Sequence, residues 1–158
     1  MKNYKKGLKK FLLERKLLDY SESGGLKLYH FSSADQEVLT LDPEHFLSGR
    51  STFSKREYEK SQVPRTFFYL DLDHAENIVK PGRSLYTANV SSNLVYDLNQ
   101  DPEEIIKKSV QPGAFFVNYN TVFETIKTNY KGVFYKLPNF DVVAWFDPIE
   151  VHKHQEEL

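Results

Sequence analysis

The chain contains no cysteine, which excludes a disulfide framework and any thiolate-held zinc or iron–sulfur site. No apolar run approaches the ~20 residues a helix needs to cross a bilayer, so no transmembrane segment is expected. The N-terminus is basic, but Lys9, Lys10, Glu14 and Arg15 interrupt its apolar residues. A signal peptide's continuous hydrophobic region is therefore missing, and the cytoplasm is the expected location. Also absent are a P-loop, a Gly-x-Gly-x-x-Gly loop, a Gly-x-Ser-x-Gly elbow and a His-Glu-x-x-His pair. Asp71-Leu72-Asp73-His74 and His152-Lys153-His154 contain metal-ligand residue types. The first reads better as a strand end running into a polar turn. The second lies in a charged tail, where order is not expected, so no metal is expected at either.

What the chain does have is aromatic residues, which make up 15% of its 158 residues. That share suits a strand-rich core and surfaces that stack on flat ligands. The length fits one domain with an appended helix. The formal charge of -1 hides an asymmetry. Residues 1–18 hold seven basic residues against Glu14 alone, leaving 14 positive against 21 negative in the remainder. An acidic body argues against wide nucleic-acid binding, which requires phosphate neutralisation.

Tyr4, Leu8, Phe11, Leu12, Arg15 and Leu18 recur at steps of three and four, the pattern of an amphipathic helix. Residues 1–20 read as that basic helix, which could pack on the domain with its lysines in water, dock a partner, or touch an anionic surface such as a membrane or nucleic acid. Residues 21–25 read as a Ser/Gly hinge, 26–153 as the domain, and 154–158 as a charged tail. Within the domain, strands are expected over 27–32, 66–72, 84–90, 133–135 and 142–146. The consecutive apolar residues of 66–72 call for a central position. Short helices are expected over 43–47 and 54–61. Another should follow the Asp101-Pro102 cap to Ser109, and a last one should run from the capping-box spacing at Thr121 to Thr128. Helices and strands do not alternate strictly, which favours α+β.

Three segments carry candidate chemistry. His30 ends the first strand, where a ring nitrogen can donate to a ligand hydroxyl. Phe53, Tyr58 and Tyr69 are candidates for stacking on a flat ring. Asp141 begins the strand 142–146, where a carboxylate can hold a ribose hydroxyl and stabilise positive charge on a sugar carbon. Each has a plainer reading beside it: a satisfied rim histidine, core aromatics, and an acid in solvent. Arg50 and Arg65 offer guanidinium forks that suit phosphate oxygens, against simple surface solvation.

The order of segments resembles histidine-type ADP-ribosyltransferase-like domains, most of all the small versions in bacteriophage and mobile-element proteins. Leu28-Tyr29-His30-Phe31-Ser32 is similar to their Leu-Tyr-His-Gly-Thr opening. Leu85–Val90 followed by Asn93-Leu94-Val95-Tyr96-Asp97 is similar to their strand and Asn-Pro-Leu segment. Tyr130–Tyr135, Val143–Pro148 and Ile149-Glu150-Val151 are similar to their closing strands. The resemblance implies a split, twisted β-sheet around a cleft for NAD. It implies that His30 anchors the adenosine-side ribose with Ser32 beside it, and that Phe53 or Tyr58 stacks on nicotinamide. Held in register on Phe146-Asp147-Pro148, the family's glutamate falls on Val142. Asp141 then serves as the acid only through a shifted loop or a bulge.

The expected function is mono-ADP-ribosyl transfer from NAD, as substrate, to a macromolecular acceptor. The catalytic residues would be His30, Asp141 and Tyr58, with Arg50 and Arg65 on the pyrophosphate. The acceptor would be a protein before a nucleic acid, in the host cytoplasm for a phage-encoded chain. An inactive binding or virion-associated module that keeps the fold is the alternative, and an NAD glycohydrolase is the third reading.

Overall fold

A computed structural model gives the structure of the protein and describes residues 16–45, 62–78, 81–110, 117–137 and 141–154. The strands are β1 (Gly25–Ser32), β2 (Val38–Leu41), β3 (Thr66–Tyr69), β4 (Ser84–Ser91), β5 (Val95–Asp97), β6 (Gly132–Lys136), β7 (Asp141–Trp145) and β8 (Ile149–Lys153). The helices are α1 (Leu72–Ile78), α2 (Ile105–Lys108) and α3 (Tyr119–Asn129). The protein is thus α+β. Its strands form one eight-stranded sheet in the order β2-β8-β4-β1-β3-β7-β6-β5. β5 and β6 are parallel and the other neighbours antiparallel. Among the described residues the sheet is continuous, not divided into two.

Side-chain alternation sends two apolar sets to opposite faces. Leu26, Leu28, Phe68, Tyr86, Val143, Trp145 and Val151 lie in one cluster, which Leu17 and Tyr20 join. Val133, Tyr135, Val142 and Ala144 lie in the other, under Val122, Phe123 and Ile126 of α3. β7 is buried along its whole length, because it sits between β3 and β6 with both faces covered. Burying each large aliphatic side chain there stabilises the fold by roughly 1.5–3 kcal/mol.

Several boundaries differ from the sequence reading. β3 stops at Tyr69, and Asp71 then caps a helix: its Oδ1 accepts from the His74 amide at 3.2 Å. α3 is capped by Asn118, whose side chain accepts from the Asn120 and Thr121 amides, not by the spacing at Thr121. Asp101 does cap α2, but from a distance. It sits at φ +44° and accepts from Ile105 and Ile106 at 2.9 and 3.0 Å.

β2, β5 and β8 fall outside the strands read from local pattern. β2 and β5 are four residues or fewer, while β8 takes in Ile149-Glu150-Val151, which the family resemblance sets among its closing strands, and runs on into residues that read as polar tail. His152 and Lys153 are nonetheless ordered, paired with β2 and β4. Residues 17–20 form a 3-10 turn in place of the end of an α-helix. The expected hinge is a pinned turn: Glu22 and Gly25 exchange backbone hydrogen bonds of 3.1 and 2.9 Å, and Ser92 donates to the Gly24 carbonyl. Gly24 takes φ +81° there, which favours glycine. Residues 1–15, Phe53, Tyr58, Arg50 and the segment expected as a helix over 54–61 lie outside the described residues. Among the described residues, no helix is long and apolar enough to cross a membrane.

Candidate functional site

His30 is the sixth residue of β1 and points to the same face as Leu26 and Leu28. Its ring packs on Phe68 with centroids 5.5 Å apart. Its Nδ1 lies 2.8 Å from the Phe67 carbonyl oxygen. A carbonyl can only accept, so Nδ1 carries the proton and donates. Burial lowers the His30 pKa below its usual value. The Phe67 bond opposes this, and the Arg83 charge adds to it. The neutral ring therefore presents Nε2 as an acceptor, the reverse of the donor role read from the sequence. Ser32, two residues on, shares that face and accepts from the Ala34 amide at 3.1 Å.

Asp141 opens β7 and pairs across to Lys136. The register is regular on both sides of the strand, with Phe68 opposite Val143 and Tyr69 opposite Val142. Phe68 and Val143 point the same way, so Asp141, two residues along, does too. Tyr29 lies opposite Tyr69, which puts His30 on the Phe68 face. His30 and Asp141 therefore share one face with no bulge, while Val142 faces α3. Two strand spacings and a two-residue offset separate them, roughly 12 Å between α-carbons.

Asp141 is only 9% exposed. Its Oδ2 accepts from the Tyr20 hydroxyl, and its Oδ1 is buried with no hydrogen bond. Tyr20 is held over it by the packing of its ring on Phe134 at 5.9 Å. The turn is further fixed by the Leu17 amide, which donates to Asp97 at 2.9 Å. Between His30 and Asp141 the face is closed, since Leu28 and Phe68 are fully buried.

Arg65 does not reach this face. It is 1% exposed, with its guanidinium over the rings of Phe67 and Phe123 at 5.2 and 4.7 Å. Its Nη1 donates to the Val63 carbonyl at 2.9 Å. From there it is unable to meet the pyrophosphate of a nucleotide whose ribose lies on His30, so the expected pyrophosphate role is corrected to a cation enclosed by aromatic rings. Tyr69, a stacking candidate, lies on the opposite face from His30. It packs against Phe31 at 5.8 Å and His74 at 5.7 Å.

Sequence reasoning missed Tyr20, Arg83 and His154. Tyr20 ends the segment that reads as a basic helix, and His154 opens the one that reads as a charged tail. Arg83 carried one usable signal, a Pro81-Gly82 turn that delivers it to the start of a strand beside the one bearing His30. No family model, curated protein or solved structure gives a significant match to the chain.

Proposed function

We propose that the chain transfers ADP-ribose from NAD to a macromolecular acceptor, a protein before a nucleic acid. The observation that carries this reading is the placement of a neutral imidazole and a buried, half-satisfied carboxylate on one sheet face. Their separation is too large for one sugar to touch both, and suits a dinucleotide whose two riboses are joined by a pyrophosphate. His30 Nε2 accepts from a hydroxyl of the adenosine-side ribose. Asp141 accepts from a hydroxyl of the nicotinamide-side ribose and stabilises the positive charge that develops at its C1′. The C1′–nitrogen bond breaks with its electron pair leaving on nicotinamide. The acceptor's nucleophile then bonds to C1′ and gives up its proton. For this to occur the Leu17–Tyr20 turn must move off Asp141, and the ribose hydroxyl takes the place of the tyrosine hydroxyl.

The test is NAD labelled in its adenylate half, incubated with the protein and a cell lysate. Labelled acceptor is expected with the wild type and not with His30→Ala or Asp141→Ala. Transfer that persists unchanged in both variants would sink the site assignment. Free ADP-ribose without labelled acceptor would mean a glycohydrolase. One observation favours a second reading, an inactive module that keeps the fold: the face between His30 and Asp141 is filled by Leu28 and Phe68. That reading expects neither labelled acceptor nor NAD consumption.

A further inference from the structure

At the strand ends just beyond His30 lies a cavity of about 390 Å³, within the size range of small-molecule sites. Phe31 and Leu85 form its apolar wall, and they are direct partners across β1 and β4. Arg83, Ser84 and His154 bring a guanidinium, a hydroxyl and an imidazole to its lining. Among the described residues, these three side chains make no hydrogen bond or ion pair with the protein. The backbone holds them in place. Ser84 opens β4 opposite Ser32, and the His154 amide donates to the Leu85 carbonyl at 2.8 Å. The His154 ring rests edge-on against Tyr29 at 6.4 Å. Lys153 also lines the cavity, but Asp35 neutralises it at 2.7 Å.

We propose that this cavity binds a nucleotide through its phosphate. The planar fork of Arg83 matches two phosphate oxygens, and Ser84 and His154 supply further donors. The base lies along the wall of Phe31 and Leu85. Glu76 also lines the cavity, where its carboxylate accepts from a sugar hydroxyl. Among the described residues of the lining, Arg83 is the one permanent cation without an acidic partner, and it faces one carboxylate, so the site suits a phosphate monoester or a pyrophosphate bridge. A triphosphate carries more negative charge than the lining offsets. The inference goes beyond the transfer reading, because a nucleotide site stands without any transfer chemistry.

Calorimetric titration of the full chain with AMP, ADP-ribose, adenosine and inorganic phosphate tests it. AMP or ADP-ribose is expected to bind at least tenfold more tightly than adenosine and than inorganic phosphate. The stronger of AMP and ADP-ribose tells a monoester site from a pyrophosphate site. Arg83→Ala is expected to weaken that ligand roughly ten- to a hundredfold, with Arg83→Lys in between because it keeps the charge and loses the fork. Arg83 is exposed, so both variants are expected to fold, and a melting curve checks this. The proposal is overturned if neither phosphorylated probe binds the wild type, if adenosine binds equally well, or if Arg83→Ala binds as the wild type does. Binding of AMP by a protein that never consumes NAD would support the cavity and count against the transfer reading.

Discussion

Replacing Tyr20 by phenylalanine deletes one oxygen atom and keeps the ring that packs on Phe134. That oxygen is the donor to Asp141 Oδ2, and Asp141 Oδ1 has no partner. The substitution therefore leaves a carboxylate that is 9% exposed with no hydrogen bond at all among the described residues. A hydrogen bond to a charged group contributes about 1.5–3 kcal/mol, and its loss in a buried place carries the full desolvation penalty. For a chain of this size 1 kcal/mol moves Tm by about 2–4 °C, so a fall of roughly 3–12 °C is expected. Urea denaturation should show the same loss as a lower midpoint at unchanged slope. Asp141→Leu removes the charge itself and extends the apolar set of Val143 and Trp145, so it is expected to be neutral or stabilising. In the Asp141→Leu background, Tyr20→Phe should then cost little, and the double-mutant cycle isolates the pair. The reasoning fails if Tyr20→Phe stays within about 0.5 kcal/mol of the wild type, or if its cost is the same in both backgrounds.

Three other perturbations have definite expected outcomes. Burial lowers the His30 pKa, so below about pH 6.5 the unfolded chain binds a proton that the folded chain resists. Stability from this source is complete above that pH and is lost as pH falls below it. His30→Gln should flatten the decline in urea midpoint between pH 7.5 and 5.5, and an unchanged slope would assign the effect elsewhere. At Gly132 an added Cβ would lie 2.7 Å from Cε3 of Trp145 and 3.2 Å from the Ala144 carbonyl oxygen. Gly132→Ala is therefore expected to cost about 1–3 kcal/mol, read by thermal melting, and an unchanged Tm would mean that the ring yields. Asp101→Ala loses the acceptor for Ile105, Ile106 and the Tyr96 hydroxyl. It should destabilise by about 1–2 kcal/mol, and Asp101→Asn, which tolerates the positive φ, should lose less.

The elements legible in the sequence were those whose patterns are local. The alternation over 84–90 and the apolar run over 66–72 point to two strands, observed as Ser84–Ser91 and Thr66–Tyr69, and the latter's position between β1 and β7 follows from having no polar face. What escaped was decided by partners far along the chain. Val38–Leu41 is a strand because β8 pairs with it, and its four residues carry too little pattern to show this. The same holds for His152–His154, polar enough to read as tail but fixed by β4 and the Leu85 carbonyl. Arg65 shows the limit for sites. Its residue type fits a phosphate, but type does not tell which face a residue takes, and the alternation around Phe67 sends it under Phe123.

The same period of two bears on the acid. Numbering back from Phe146-Asp147-Pro148 placed the expected carboxylate on Val142, and a regular strand turns adjacent residues to opposite faces. The observed register puts Val142 under α3 and Asp141 on the His30 side. Packing alone would favour an apolar residue at 141, since Phe68, Phe134, Val143 and Trp145 surround that stripe with hydrocarbon. A carboxylate there, satisfied at one oxygen only, lowers stability relative to leucine. It must therefore serve either the docking of Tyr20 or a ligand that replaces Tyr20. Docking alone predicts that Asp141→Leu frees the Leu17–Tyr20 turn and leaves nucleotide chemistry untouched. Ligand binding predicts that Asp141→Leu yields a protein at least as stable as the wild type that no longer labels an acceptor from NAD.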